Sequence, residues 1–477
     1  MELVTNIQER KILAMSIISH NWDNENRFSS TVDNFFKEHH IGALMKQSNF
    51  YKEKGISCLL VFKLLFTLVF TGKNLFRTIE AQNTALPFAK DVAYRFLNSV
   101  HYHWQRFLML LASSIIRNKL VDLTSDDRVN VLIVDDSIYS RNRSKVVELL
   151  SRVKDHVSQK YVKGFRLLTL GWSDGNTFIP LGFNLLSAQT SKNMLHPMND
   201  EIDKRSIGYK RRLSSLNKET DAMIDLLKQA VENGVPAKYV LFDSWFTYPG
   251  ILKKILGLNL HSIAMVKAMK KVYYNFQGTK MNLQSIYSSI KKKRGKAKIL
   301  SSVVVCIGTD EDGNEIQAKI VFVKDRNRSR NWLALISTDV TLSDEEIIRI
   351  YGKRWDIEIF FKICKSYLNL AKEFQGRSYD SMVAHTTIVF ARYIMLAVEN
   401  RNNKDLRTIG GLFYLCCDEL QDIKFLEALQ LLIDALKTAL SEKLMLSKEA
   451  ISEFLDHFMS CLPTFIREKL ALCSCES

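Results

Sequence analysis

The first quarter of the chain repeats its apolar residues at the spacing of an α-helix. Apolar and aromatic side chains recur at four-residue intervals, as in Val92, Phe96, Val100 and Trp104. Residues at this spacing lie along one face of a helix, and no alternating pattern typical of strands interrupts them. The pattern predicts a helical region over residues 1–125.

The period changes abruptly at Val129. Val131 to Val134 form a short, apolar and largely β-branched run that ends in Asp135-Asp136-Ser137. This run predicts a buried strand with two carboxylates at its C-terminal end. Two further apolar runs, Gly164 to Gly171 and Phe178 to Phe183, are separated by an Asp-Gly-Asn turn, so the three strands should form an antiparallel meander.

The next segments alternate between helical and extended patterns. A polar, basic linker runs from Lys192 to Leu216. The predicted elements after it are a helix over Asp221 to Val231, a strand over Tyr239 to Asp243 that ends on this carboxylate, a helix over Pro249 to Leu256, and a strand over Ser262 to Val266. Three antiparallel strands followed by this alternation is the element order of an RNase H-like α/β core. Residues 126–269 would form its first part.

Two-residue alternation dominates residues 270–337, which predicts an all-β insertion into this core. From Ser343 onward the pattern is helical. Residues 338–375 would supply the final core helix, and residues 376–477 a helical C-terminal region whose apolar stripe serves either as core or as a dimerisation surface. The fold class expected is α/β, with helical regions flanking the interrupted core.

Composition adds a charge argument. The chain has 67 Lys and Arg against 51 Asp and Glu, a formal net charge of +16, which favours nucleic acid or an anionic membrane as partner. The most apolar stretch, Ile56 to Gly72, carries Lys63 in its middle and therefore predicts a buried helix rather than a membrane span. Because the N-terminus lacks the pattern of a signal peptide, we expect a cytoplasmic protein without a membrane partner.

Four chemically active residues follow the insertion at spacings of three, four and seven: Tyr351, Arg354, Glu358 and Lys365. In one continuous helix they would share a face, which is either a solvated ionic face or part of a site. The apolar neighbours Trp355, Ile359, Phe360 and Phe361 favour the second interpretation. Two strand-end carboxylates with a third from this helix would suit two Mg²⁺ ions, while Arg and Lys suit phosphates.

The string from Tyr351 to Lys365 resembles the Y-(2)-R-(3)-E-(6)-K signature of bacterial cut-and-paste transposases of the insertion-sequence-4 family, with every signature residue in register. This resemblance implies a DDE triad of Asp136, Asp243 and Glu358 that binds two Mg²⁺ ions, replaceable by Mn²⁺. Asp135 is the alternative first carboxylate, since adjacent strand residues point to opposite faces. Asp136 is preferred because the family's first Asp is commonly followed by a hydroxyl residue, here Ser137.

The resemblance also implies partners and further roles. The partners are the terminal inverted repeats of an insertion sequence and target DNA, bound by a homodimer, with a hairpin intermediate during cleavage. Tyr351, Arg354 and Lys365 would contact this DNA. Trp332 would either stack on a flipped base or belong to the core. End recognition would fall to the helical N-terminal region, by family analogy.

Two basic clusters fit such a substrate, although each alone could be a solvated loop. The first comprises Arg141, Arg143 and Lys145, and the second Lys291, Lys292, Lys293 and Arg294 with Lys296 and Lys298. Two alternatives to a transposase remain open at this point: an RNase H-like endonuclease without strand transfer, and a catalytically inert DNA-binding relic.

Overall fold

The computed structural model describes residues 30–72, 75, 88, 90–125, 128–155, 159–293, 297–310, 312–325, 331–372, 376–402, 408–444 and 446–462. The chain divides into two units. A helical unit comprises Met1–His40, Leu60–Ala93 and Arg407–Ser477, and a sheet unit comprises Ile41–Leu59 and Tyr94–Leu406. The predicted N-terminal region, residues 1–125, is therefore divided between the two units.

One mixed sheet dominates the sheet unit. Its strands in the described residues are β1 (Val131–Ser140), β2 (Ser151–Lys154), β3 (Tyr161–Ser173), β4 (Phe178–Leu186), β5 (Tyr239–Phe242), β6 (His261–Val266), β7 (Tyr273–Phe276), β8 (Thr279–Asn282), β9 (Ile299–Thr309), β10 (Glu315–Lys324) and β11 (Trp332–Ser337). Their order across the sheet is β2-β3-β1-β5-β6-β11-β10-β9-β7-β8, with β4 also paired to β3.

The helices of the described residues flank this sheet or build the helical unit. They are α1 (Thr31–Glu38), α2 (Ile41–Gln47), α3 (Cys58–Thr67), α4 (Lys90–Leu97), α5 (Trp104–Ile115), α6 (Ile207–Ser215), α7 (Glu219–Glu232), α8 (Pro249–Leu256), α9 (Leu283–Ser289), α10 (Asp344–Gly352), α11 (Trp355–Ser366), α12 (Tyr379–Asn402), α13 (Ile409–Leu444) and α14 (Lys448–Cys461).

The predicted antiparallel meander is present. β1 pairs antiparallel with β3, and β3 pairs antiparallel with β4. The turn between β3 and β4 is closed by Asp174, whose Oδ1 accepts from the backbone N–H groups of Asn176 and Thr177 at 2.8 Å each. Gly175 supplies the positive φ of +88° that this turn requires.

Two parallel strands complete the centre of the sheet. β5 pairs parallel with β1, and β6 pairs parallel with β5. β11 then pairs antiparallel with β6, so the strands of residues 270–337 continue the same sheet. This segment is not purely β, because it also contains helix α9.

β1 is longer than predicted, and this length positions its carboxylates. β1 pairs with β3 along its whole length to Ser140, but with β5 only from Val131 to Ile133. Asp135 and Asp136 therefore lie inside β1 just beyond the end of its parallel neighbour. Crevices beside the carboxyl ends of parallel strands are where open α/β sheets place their functional residues.

The predicted linker from Lys192 to Leu216 contains helix α6, and two of its basic residues are internal. The guanidinium of Arg212 pairs with Glu148 and Asp380, at 2.5 Å and 2.6 Å. Arg211 pairs with the same Asp380 at 3.3 Å. A charge can be buried when it is paired and hydrogen-bonded, so this part of the basic excess stabilises the interior rather than attracting DNA.

Helix α12 forms part of the core of the sheet unit. In the described part of the chain it is long and apolar enough to cross a membrane, yet its most apolar window is wholly buried within the protein. Core helices of this kind satisfy the same criterion. Phe390 of α12 contacts Phe183 of β4 and Phe360 of α11, so α12 packs against both the sheet and α11.

The Tyr351–Lys365 segment is not one continuous helix, contrary to the prediction. α10 ends at Gly352 and α11 begins at Trp355. Lys353 lies in the break, and its Nζ donates to the carbonyl oxygens of Val129 at 2.6 Å and Asp174 at 3.1 Å. These two bonds tie the break to the start of β1, and glycine favours a helix end over a helix interior.

The helical unit has its own aromatic core. Phe36 of α1 contacts Phe62 and Phe66 of α3, and Phe70 contacts Phe413 of α13. Lys63, which interrupts the apolar stretch in the sequence, forms an ion pair with Asp33. This pair lets the lysine sit on an otherwise apolar helix.

Candidate active site

Arg354 joins residues from two distant parts of the chain. Its Nη1 donates to Oδ2 of Asp135 at 2.8 Å, and its Nη2 donates to Oε1 of Glu358 at 2.5 Å. Arg354 is the N-cap residue of the helix that carries Glu358, so the break separates both residues from Tyr351 and leaves them in contact with each other. Both carboxylates face one guanidinium, on the side of the sheet that α11 covers.

Asp135 lies in a strongly acidic environment. Burial, opposed by the charge of Arg354 and assisted by the negative charges of Asp136 and Asp243, raises its pKa to about 7. Burial likewise raises the pKa of the Tyr351 phenol to about 12, with Asp243 and Asp135 contributing. Asp135, Asp243, Tyr351, Arg354 and Glu358 thus form one electrostatically coupled group.

The loop after β5 fixes Asp243. The backbone N–H of Trp245 donates to Oδ1 of Asp243 at 2.9 Å. The hydroxyl of Thr247 donates to the carbonyl oxygens of Asp243 and Met265, at 2.9 Å and 2.7 Å. The loop is therefore attached to both β5 and β6, which holds the carboxylate at the sheet edge.

Asp136 belongs to a second polar group. Nη1 of Arg166 donates to its Oδ2 at 2.8 Å, and Nε of Arg166 lies 3.8 Å from Oε1 of Glu219. Nε1 of Trp245 donates to Oε2 of Glu219 at 2.8 Å. Burial raises the pKa of Glu219 to about 7, with the charges of Asp136 and Asp243 contributing.

Sequence reasoning missed both Arg166 and Glu219. A charged residue within the apolar run Phe165 to Leu168 is a signal that could have identified Arg166. Glu219 gives no comparable signal. Acidic residues are common in the first turn of a helix, where they interact favourably with its dipole, and Glu219 is the first residue of α7.

Lys365 lies beside β1. Its Nζ donates to the hydroxyl of Ser137 at 2.6 Å. Burial lowers the pKa of this lysine, against the opposing charges of Asp155 and Asp136. Two of the apolar neighbours expected to be buried are not: Trp355 is 59% exposed and Ile359 is 45% exposed. Phe360 and Phe361 are buried.

A groove of about 1590 Å³ opens beside the two polar groups. Its wall contains Asp136, Asp155 and Asp243. Its cationic lining residues are Arg141, Arg143, Lys145, Lys154, Lys267, Lys365, Lys372 and Arg377. The first predicted basic cluster is therefore part of a predominantly positive groove that reaches Asp136 of β1 and Asp243 after β5, whereas Asp135 and Glu358 do not line it.

The second basic cluster and Trp332 lie elsewhere in the sheet unit. Trp332 stacks on Tyr287 with ring centroids 4.5 Å apart and contacts Phe322 edge-on at 5.3 Å. Nζ of Lys292 lies 4.8 Å from the Tyr287 ring centroid. Lys291 and Lys293 are exposed. Arg294 and Lys296 lie outside the described residues.

The chemistry of these carboxylates suits a hard divalent cation, but their present spacing does not. Carboxylate oxygens are the ligands that Mg²⁺ prefers, and a cation would relieve the repulsion that helps to raise the pKa of Asp135. Within the ranges that the structure describes, no group of three His, Cys, Asp or Glu side chains is close enough to hold a metal ion. Arg354 provides the positive charge between Asp135 and Glu358.

One known protein family matches the chain. The model of the DDE superfamily endonucleases matches residues 66–309, about half of the chain. The match includes Asp135, Asp136 and Asp243 and ends before Glu358. A comparison with curated proteins found no match. The chain belongs to the DDE superfamily endonucleases, nuclease-type enzymes whose substrate is DNA.

Proposed function

We propose that the protein is a cut-and-paste DNA transposase of the insertion-sequence-4 type. The observation that carries this proposal is the contact of Arg354 with both Asp135 and Glu358, beside Asp243. Asp135 and Glu358, remote in sequence, meet at one guanidinium where β1 passes the end of β5, and the charge of Asp243 reaches Asp135 from the end of β5. The Arg and Glu of the family signature meet there in the spacing that the signature prescribes.

The order of the sheet supports an RNase H-like core within this enzyme. The meander of β4, β3 and β1 continues into the parallel strands β5 and β6, and the helix that carries Glu358 packs against β1. Residues 270–337 would then be the insertion. It is attached through the pairing of β11 with β6.

The geometry favours Asp135 over Asp136 as the first carboxylate of the triad. Asp135 shares a guanidinium with Glu358, and the charge of Asp243 contributes to its raised pKa. Asp136 points to the opposite face and pairs with Arg166. We therefore propose a triad of Asp135, Asp243 and Glu358, although the hydroxyl that follows Asp136 favoured the other assignment.

These three residues would hold Mg²⁺, with Mn²⁺ as a substitute. When bound, such ions lower the pKa of the water or hydroxyl group that attacks, and they stabilise charge on the attacking and leaving oxygens. The side chains of the protein orient the substrate around them. Lys365, next to Ser137, and the cations of the groove would bind phosphates, and Arg354 would exchange a carboxylate contact for a phosphate oxygen.

Recognition of the transposon ends and dimerisation belong to the same proposal. Terminal inverted repeats would be bound by the helical N-terminal region, and the helices of residues 376–477 would pair two copies in the synaptic complex. The family resemblance further implies that a freed 3′-hydroxyl attacks the opposite strand to give a hairpin, which is then opened before strand transfer.

A strand-joining assay tests the proposal. The full-length protein is incubated with MgCl₂, a supercoiled target plasmid and labelled DNA carrying the inverted repeats that bracket the gene. The proposal expects labelled ends joined to the plasmid and a hairpin species on denaturing gels. Glu358→Gln should give neither product, and Glu345→Gln, an exposed glutamate on α10, should give both.

The assay also separates the alternatives. Cleavage without joining would favour an RNase H-like endonuclease that lacks strand transfer. Binding of the labelled ends without cleavage would favour a catalytically inert DNA-binding protein. Either result would overturn the proposed transposase activity.

A further inference from the structure

Trp245 is an exposed indole in the wall of the basic groove. It lies two residues after Asp243, and 49% of its surface is exposed. Large apolar side chains exposed in a concave site commonly serve binding. The next aromatic residue along the groove wall, Tyr248, is 37% exposed, whereas Phe246 between them is fully buried. The loop thus directs two of its three aromatic residues to the groove.

Several contacts fix the position of this indole. Its backbone N–H is bonded to Asp243, and its Nε1 donates to Oε2 of Glu219 at 2.8 Å. The guanidinium carbon of Arg166 lies over the ring, 6.0 Å from its centroid. Glu219 is itself mostly buried, so a buried carboxylate holds the edge of an exposed ring. The ring is therefore oriented before any substrate arrives.

We propose that Trp245 is a stacking platform for an unpaired nucleobase of the DNA strand at the active site, with Glu219 as its positioning residue. This inference rests on the proposed action on DNA and adds a substrate contact to it. A positively charged groove combined with an aromatic face is the usual means of binding single-stranded nucleic acid. The groove cations would follow the phosphates while the base rests on the indole.

Stacking depends on the base, whereas phosphate contacts do not, and this difference gives a test. The full-length protein is titrated in EDTA with a fluorescent oligothymidylate of about 12 nucleotides and with an abasic deoxyribose-phosphate strand of equal length and charge. Trp245→Ala should weaken oligothymidylate binding about 10-fold and leave abasic-strand binding within about two-fold. Trp245→Phe should retain most of the affinity.

Two further variants separate positioning from folding. Glu219→Ala removes the acceptor for Nε1 and should weaken binding of the oligothymidylate alone, whereas Glu219→Gln keeps an acceptor and should restore it. The control is Tyr51→Ala, which removes an exposed aromatic side chain outside the groove wall. It should change the affinity for neither the oligothymidylate nor the abasic strand. Thermal unfolding of each variant checks that the fold is retained.

The outcomes distinguish this inference from the proposed function. Equal oligothymidylate binding by Trp245→Ala and the wild type would overturn the platform while leaving the transposase proposal intact. An equal loss on both strands would also overturn it, because the effect would not depend on the base. Failure of the wild type to bind the oligothymidylate would overturn the platform, whereas the transposase proposal is decided by the strand-joining assay.

Discussion

Nη1 of Arg354 lies 2.8 Å from Oδ2 of Asp135, although the two residues are 219 positions apart in the chain. This ion pair connects β1, an interior strand of the sheet, to the segment that carries Glu358. It also supplies the positive charge beside Asp135, whose pKa is raised by burial and, to a lesser extent, by the charges of Asp136 and Asp243.

The assignment of the first carboxylate is tested by two adjacent substitutions. Asp135→Asn should reduce DNA nicking by at least about 100-fold, because it removes a proposed metal ligand and little volume. Asp136→Asn should retain nicking within about 10-fold, since Asp136 pairs with Arg166 on the opposite face. Conversion of supercoiled to open-circular plasmid measures both, and the reverse order of effects would restore Asp136 as the ligand.

Removal of Arg354 should destabilise the sheet unit in a pH-dependent way. Arg354→Gln leaves Asp135 buried without its counter-ion, which raises the pKa of that carboxyl above the present value of about 7. At about pH 8 the loss should be on the order of 1–3 kcal/mol, because the ionised carboxylate is then costly to bury. At about pH 5 Asp135 is protonated and the loss should be smaller.

Urea unfolding at the two pH values measures this difference. The control is Arg349→Gln, since Arg349 and its partner Glu346 are each about half exposed and such pairs contribute little. An equal loss from Arg354→Gln at both pH values would show that the pairing with Asp135 is not the cause.

The raised pKa of Glu219 predicts a second pH dependence of the protein's stability. Its ordinary pKa of 4.5 is raised to about 7 in the fold by burial, with Asp136 adding to it, so the folded state holds this proton more tightly than the unfolded chain. The associated stability is present below about pH 4.5 and is lost as pH rises through about 7. Glu219→Gln removes this loss and should stabilise the protein by on the order of 1–3 kcal/mol at about pH 8.

Thermal unfolding from about pH 4 to about pH 8 checks this prediction. The gain in stability of Glu219→Gln over the wild type should grow between about pH 4.5 and about pH 7 and then level off. Glu232→Gln, at the exposed opposite end of the same helix, should follow the wild type throughout. A gain that does not change with pH would contradict the raised pKa.

Loss of a cation from the groove wall should change how the affinity for DNA depends on salt concentration. Arg143 and Lys145 are exposed in its wall, so each would neutralise a phosphate and release a counter-ion. Arg143→Gln and Lys145→Gln should each reduce the slope of log affinity against log salt by about 0.9 for duplex DNA. Lys228→Gln, exposed on α7 outside this groove, should leave the slope unchanged.

The sequence predicted the centre of the fold well because its apolar runs are short and clearly bounded. The helix at Pro249–Leu256 has the predicted bounds, and the strand at Tyr239–Phe242 ends one residue before the predicted end at Asp243. β1 was predicted too short, because its continuation from Asp135 to Ser140 is polar. Pairing with β3 maintains the strand there, and local sequence does not report such pairing.

The site was predicted less completely, for reasons of tertiary structure. Local sequence suggested one helix face for Tyr351 to Lys365, whereas Lys353 binds the start of β1 and breaks the helix. Arg212 falls in the segment predicted as a polar, basic linker, but it is buried in the interior, where it pairs with Glu148 and Asp380. Glu219 could not be identified, because its contacts with Arg166 and Trp245 exist only in the folded chain.

The central claim is that Asp135, Asp243 and Glu358 form the site that cuts DNA. Its most direct test is nicking of supercoiled plasmid in MgCl₂ by the wild type, Glu358→Gln and the exposed-residue control Glu345→Gln, with filter binding of the same DNA in EDTA. The account predicts that Glu358→Gln loses nicking by at least about 100-fold and keeps DNA affinity within a few-fold. Nicking by Glu358→Gln at the rate of the wild type would contradict it.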